Sequence, residues 1–165
     1  MTPELHPDLH PDVAGLATLL GIWEGRGDGD YPTIEPFSYL ESITFAHVGK
    51  PFVSYVQRTR HPGTGAPLHA ESGYFRVPMP GSIEIVMAQP TGLTEVYEGA
   101  VVTGEATLVI DVRSTVIGST ASAKEVTRTE RTFSVSGDEL HYTFRMAAVG
   151  QPLQHHLSAT LHRVG

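Results

Sequence analysis

From Gly21 onward, the chain is dominated by alternation of apolar and polar positions. Leu140, Tyr142, Phe144 and Met146 fall on one parity, and His141, Thr143 and Arg145 on the other. Ile83, Ile85 and Met87 oppose Glu84 and Val86 in the same way. A period of two puts successive side chains on opposite faces of a strand. Runs rich in Val, Ile, Thr, Tyr and Phe, broken by Gly, Pro and Asp, predict strands at about 21–28, 37–47, 52–60, 67–77, 82–89, 93–102, 105–112, 125–135, 139–147 and 153–163. Pro80-Gly81, Thr91-Gly92, Thr103-Gly104 and Gly137-Asp138 supply turn chemistry between them. The stretch 114–124 (STVIGSTASAK) is small and polar and reads as a longer surface loop. Val13 to Leu20 suits a short helix with Asp12 as its N-cap after Pro11. Residues 1–12, with Pro3, Pro7 and Pro11, read as a flexible extended arm carrying His6 and His10 into solvent.

Ten or so strands joined mostly by tight turns make an antiparallel meander. Closing such a sheet removes its edges. The expectation is an all-β fold, a ten-stranded antiparallel β-barrel with a short N-terminal helix across one end. Eight strands already enclose room for one small ligand, and ten enclose more. A cavity therefore follows from the strand count alone.

Composition narrows what the cavity could hold. The chain has 165 residues, 40% hydrophobic and 18% charged, which suits one globular domain. It has no cysteine, which removes disulfides, thiolate metal sites and a thiol nucleophile, and fits a reducing cytoplasm. The net charge is −7, and Lys50 and Lys124 are the only lysines. Nucleic acid and anionic membrane surfaces are bound through clustered Lys and Arg, so neither is an expected partner. No apolar run approaches the roughly 20 residues of a membrane span. The N-terminal stretch lacks the basic region of a signal peptide, so a cytoplasmic protein is expected.

Candidate chemistry is sparse. There is no P-loop, nucleophile elbow, HExxH or paired His/Cys zinc spacing. Gly21, Trp23, Gly25 and Gly27 form a GxWxGxG run, but a dinucleotide fingerprint needs a strand before it and a helix after it. Glycines in a barrel strand instead mark bends or close approaches, with Trp23 packed between helix and barrel. Thr33 lies in a stretch with Pro32 and Pro36, a rigid loop suited to a polar ligand contact at a barrel mouth. His69 and Gln89 are polar residues near strand ends, each also readable as purely structural. The closing run QPLQHHLSATLHRVG holds His155, His156 and His162. If its apolar parity points inward, His155 faces the cavity. A bulge between Pro152 and Leu157 would turn His156 inward instead. Strand parity leaves the two open.

The motifs GIWEGRG (21–27), YPTI.PF.YLE (31–41), FAHVGKPF (45–52), PLHAESGYFR (67–76) and QPLQHHLSATLHR (151–163), in this order over nearly the whole chain, resemble the nitrobindin family. The resemblance implies residues 13–165 as a single haem-binding β-barrel domain with a fatty-acid-binding-protein-like shape. It implies one haem b per chain, held through its iron by the histidine of an HLxAxL strand. That histidine maps to His156. Thr33 and Lys124 map to haem contacts, and Leu68, His69, Gln89 and Met146 to pocket-lining positions. Related proteins carry methionine where this chain has Leu68, a change expected to touch haem packing and not iron ligation. The implied activity is nitric oxide binding and isomerisation of peroxynitrite to nitrate, with those small molecules as partners and a homodimer left open. The competing expectation is a non-catalytic carrier of a small apolar ligand.

Overall fold

The computed structural model describes residues 7–165. A 3-10 helix, Pro11–Leu19, precedes ten strands: β1 (Gly21–Tyr31), β2 (Ile34–Ala46), β3 (Val53–Arg60), β4 (Pro67–Arg76), β5 (Ser82–Gln89), β6 (Leu93–Thr103), β7 (Thr107–Ser119), β8 (Val126–Ser136), β9 (Glu139–Ala148) and β10 (Gln154–Val164). Each strand pairs antiparallel with its neighbours in sequence, and β1 pairs with β10 to close the barrel. The alternation is realised in burial. Leu140, Tyr142 and Phe144 point inward from β9, and Ile83, Ile85 and Met87 from β5. Gly81, Gly92 and Gly137 have φ of 83°, 90° and 59°, the left-handed backbone their turns need.

Three expectations are corrected. The helix is capped by His10, whose Nδ1 accepts from the Asp12 amide at 3.2 Å. Pro11 occupies the first helical position, where its fixed φ belongs, so the cap falls one residue before it and not at Asp12. His10 is accordingly tied to the helix, while His6 lies outside the described residues. Second, β7 runs to Ser119. Glu95, Thr94 and Leu93 pair with Ile117, Gly118 and Ser119, so β6 recruits the first half of the expected loop as strand. Third, the loop expected at 31–36 is a tight turn at Pro32-Thr33, with β2 already formed at Ile34. Pro36 is accommodated at a register shift between β1 and β2, where a missing N–H costs no ladder bond.

The core fills one half of the barrel. Trp23, Ile43, Phe45, Phe75, Phe133 and Leu140 are buried there, and Val13, Leu16 and Leu19 of the helix close that end. Burying each such side chain contributes about 1.5–3 kcal/mol. Trp23 donates from Nε1 to the Leu19 carbonyl at 2.7 Å, and the Arg163 guanidinium stacks on its ring at 4.2 Å. Arg163 also donates to the carbonyls of Thr18 and Leu20, so the last strand locks the helix over the barrel end. Among the described residues, no helix is long and apolar enough to cross a membrane.

The other half of the barrel is not filled, and there the ladder is irregular. Register shifts occur at Gly29/Tyr31, Arg58/Arg60, Val96/Tyr97, Val126/Arg128 and His155/Leu157. Bulges re-aim side chains and gather at barrel rims and beside sites.

Candidate functional site

The unfilled half is a cavity of about 1020 Å³. Thr33, Leu68, His69, Gln89, Lys124, Met146 and His156 all line it, so one space gathers every candidate contact residue. The GxWxGxG residues do not line it. Gly27 of the motif acts from behind, because a Cβ there would collide with the Tyr39 ring, and Gly29, two residues beyond the motif, does the same for Phe37. The glycines of β1 thus let two aromatic rings of β2 lie flat along the cavity wall.

His156 owes its direction to a bulge. On β10, His155 pairs with Arg145 and Leu157 with Phe144, so His156 is an extra residue with no partner of its own on β9. Parity resets across it. His155 turns outward to a shallow surface cleft with Asp28 and Asp30, while His156 and Leu157 both face the cavity. His162, further along the strand, is exposed. The His156 ring packs edge-on to Tyr31 at 5.2 Å between centroids and to Phe37 at 6.4 Å, with Phe144 at 5.9 Å. Its Nδ1 lies 3.0 Å from the Asp30 carbonyl oxygen. A carbonyl can only accept, so Nδ1 carries the hydrogen and Nε2 keeps its lone pair. Burial lowers the imidazole pKa, which favours that neutral form. A second bulge serves His69. Between Arg58–Ala70 and Arg60–Pro67 pairs, β4 carries one more residue than β3, and Leu68 and His69 both reach the cavity. Thr59 Oγ1 accepts from the His69 amide at 3.0 Å and pins the backbone there.

The cavity floor is polar, and the sequence reading missed it. Arg131 of β8 donates to both carboxylate oxygens of Glu71, at 2.6 and 3.1 Å, and lies 3.7 Å from Glu95. Burial works against an ionised Glu71, yet the Arg131 guanidinium with hydrogen bonds from Arg131 and Tyr55 holds its carboxyl well below the usual range. Glu95 is raised by burial. Glu41 of β2 accepts from Tyr142 at 2.7 Å and Gln57 at 3.2 Å, and burial pushes its carboxyl up to about 7. The signal for these residues was present. Glu41 shares parity with Tyr39 and Ile43, Glu71 with Phe75, Glu95 with Tyr97, and Arg131 with Phe133. A charge on the apolar parity of a barrel strand points inward.

The described residues contain no cluster of three or more His, Asp or Glu side chains able to hold a bare metal ion. A lone imidazole with a free Nε2 suits a metal that brings its other ligands with it. The walls beside His156 are Ile34, Phe37, Leu157, Phe144 and Met146, apolar and suited to a flat macrocycle. Thr33 and Lys124 stand at the exposed rim, where a hydroxyl and an ammonium can meet carboxylate groups. These residues fit a porphyrin better than a bare ion.

Comparison with known proteins agrees. Residues 12–163 match the model of the THAP4-like, heme-binding beta-barrel domain. The chain belongs to this family. It is 57% identical over 99% of both chains to peroxynitrite isomerase 1 of Mycolicibacterium paratuberculosis. It is 52% identical to the peroxynitrite isomerase of Nocardia farcinica, over 96% of this chain and 92% of that one. The crystal structure of Rv2717c from M. tuberculosis superposes with a TM-score of 0.93 at 49% identity, covering 96% of this chain and all of the other. The expected fold and family are thereby borne out.

Proposed function

We propose that the chain binds one haem b in the cavity through His156 and isomerises peroxynitrite to nitrate there, with nitric oxide as a second ligand of the same iron. The observation that carries this reading is the free Nε2 of a neutral imidazole, turned into a cavity of about 1020 Å³ by a bulge that serves no ladder pairing. The relatives named peroxynitrite isomerase, alike over nearly their whole length, support it. When bound, the haem supplies the iron at which the peroxide bond of peroxynitrite is rearranged.

The chain's own residues bind, orient and enclose. Asp30 fixes the tautomer and plane of His156 through its carbonyl. Phe37, Phe144 and Leu157 hold the ring and keep water from its face. Thr33 and Lys124 anchor the polar edge of the macrocycle at the rim, and Leu68, Gln89 and Met146 bound it. Leu68, where related proteins carry methionine, would alter the packing of that face. His69 offers an imidazole on the same wall, 3.6 Å from Glu71.

The carrier alternative leaves His156 unexplained. An apolar ligand needs no imidazole, yet one is turned into the cavity by a bulge and held in a fixed tautomer by the Asp30 carbonyl. Hemin titration decides between the readings. The wild type is expected to develop a histidine-ligated Soret band, and His156→Ala to lose it, while a fluorescent fatty acid binds neither. Equal hemin uptake by both proteins would refute the axial assignment. The activity is tested by stopped-flow decay of peroxynitrite with nitrate yield. Decay unchanged by the ferric protein would refute the isomerase reading.

A further inference from the structure

A hydrogen-bonded triad, Tyr39 and Tyr142 on the cavity wall with Glu41 buried behind them, has no part in the chemistry above. Tyr142 donates its phenolic hydrogen to Glu41 Oε2 at 2.7 Å, and the hydroxyls of Tyr142 and Tyr39 lie 2.7 Å apart. Because the hydrogen of Tyr142 goes to the carboxylate, Tyr39 is the donor to Tyr142. Gln57 holds the second carboxylate oxygen. Tyr39 and Tyr142 face the cavity, yet are only 2% and 5% exposed. A small molecule inside the barrel meets these two residues from the cavity side.

We propose that Tyr142, with Glu41 as proton acceptor and Tyr39 as hydrogen-bond partner, donates one electron to nitrogen dioxide released in the cavity, an inference resting on the peroxynitrite reading. Nitrogen dioxide takes one electron from the phenol and becomes nitrite. The O–H bond of Tyr142 breaks, its proton crosses to Glu41, and an O–H bond forms on the carboxylate. A neutral phenoxyl radical remains, hydrogen-bonded by Tyr39. An electron from a small reductant of the ascorbate class, with the proton returned by Glu41, restores the phenol. Nitrogen dioxide set loose when the peroxide bond breaks thus leaves as nitrite instead of diffusing out.

The geometry separates Tyr142 from the other tyrosines. Tyr55 also donates to a carboxylate, Glu71, at 2.7 Å. But Arg131 grips Glu71 and keeps it a poor proton acceptor, and Tyr55 does not line the cavity. Tyr97 accepts from Arg131 and Thr129. Tyr31 donates to backbone carbonyls, which cannot take a proton. Glu41 can take and return one near neutrality, since burial sets its carboxyl at about 7. The groups bearing on it are Gln57 of β3, Glu71 of β4, Arg131 of β8 and Tyr142 of β9, with Tyr39 on its own strand. Its neighbour on β1 is Gly25.

The test uses nitrogen dioxide made by pulse radiolysis, applied to hemin-free and hemin-loaded protein. Tyr74 is 48% exposed and would react from solvent, so Tyr74→Phe is the parent. The parent is expected to yield a phenoxyl absorption, a tyrosyl signal on freeze-quench electron paramagnetic resonance, and nitrite. Adding Tyr142→Phe should cut the phenoxyl yield by roughly tenfold or more, and Glu41→Gln should slow its formation by a similar factor. Tyr39→Phe should keep the yield and shift the radical's g-values, because one hydrogen bond is lost. Equal phenoxyl yield with and without Tyr142 overturns the proposal. If circular dichroism shows Tyr142→Phe misfolded, the other two variants decide, and no change in rate or g-values overturns it. The hemin-free arm needs no iron, so its failure is separable from failure of hemin binding or isomerisation.

Discussion

Arg131 closes on Glu71 with two guanidinium nitrogens, at 2.6 and 3.1 Å, and both side chains are about 95% buried. Removing one partner strands the other charge in a largely buried position. Arg131→Leu is expected to cost about 3–5 kcal/mol in denaturant unfolding. The deficit should shrink as pH falls, because Glu71 then takes up a proton. Combining Arg131→Leu with Glu71→Leu should recover most of the loss, giving a large coupling energy in the double-mutant cycle. Additive losses would show that the pair is not a unit.

His156 gives a pH prediction of definite sign. Burial lowers its pKa in the fold below the ordinary 6.5. The unfolded chain therefore binds the proton more readily, and the stability this group contributes is present above 6.5 and lost as pH falls through the folded value. Hemin competes with the same proton for Nε2. Hemin affinity, read from the Soret band, should hold steady from pH 8 to about 6.5 and weaken only below it. Weakening that begins above the ordinary value would contradict a buried neutral imidazole.

Glu41 acts in the opposite sense. Its carboxyl rises from 4.5 to about 7 in the fold. Both states are protonated below 4.5, so no penalty exists there. Stability should fall as pH rises from 4.5 to about 7, by about 3 kcal/mol in all. Glu41→Gln should remove this slope, and the wild-type-minus-variant difference in unfolding free energy isolates it from other titrations. Parallel pH profiles for the two proteins would count against the raised carboxyl.

Gly27 sits where any Cβ would enter the Tyr39 ring. Gly27→Ala should displace that ring, break its contact with Tyr142, and destabilise the fold by about 1–3 kcal/mol. Hemin affinity should drop with it, although Gly27 itself touches no cavity space. Thermal unfolding together with Soret titration checks both.

The strands were legible because an inward apolar residue and an outward polar one alternate through most of them. Parity failed only where the ladder slips. Nothing in Gln154-His155-His156-Leu157 announces which residue is extra, since the slip is chosen by pairing with Arg145 and Phe144 across the seam. Family resemblance, not spacing, pointed to His156. Strand 114–119 went unread for a different reason: Thr115, Val116 and Ile117 are β-branched and strand-favouring, but the small residues Ser114, Gly118 and Ser119 around them masked the signal, and β6 pairs along the run. The floor was different. Glu41, Glu71, Glu95 and Arg131 stood on inward parity in plain view, and a search for charges on that parity would have found them.

The contact that orients His156 joins residues 126 positions apart, one on the first strand and one on the last. The imidazole stands at the seam where the barrel closes. A chain emerging from the ribosome can form hairpins from β1 through β9 and still own no cofactor site. On the proposed ligation through His156, loading would wait for β10 to dock. Haem capture would then be a readout of completed closure, and a chain cut short before the seam is expected to stay colourless however well its earlier strands had paired.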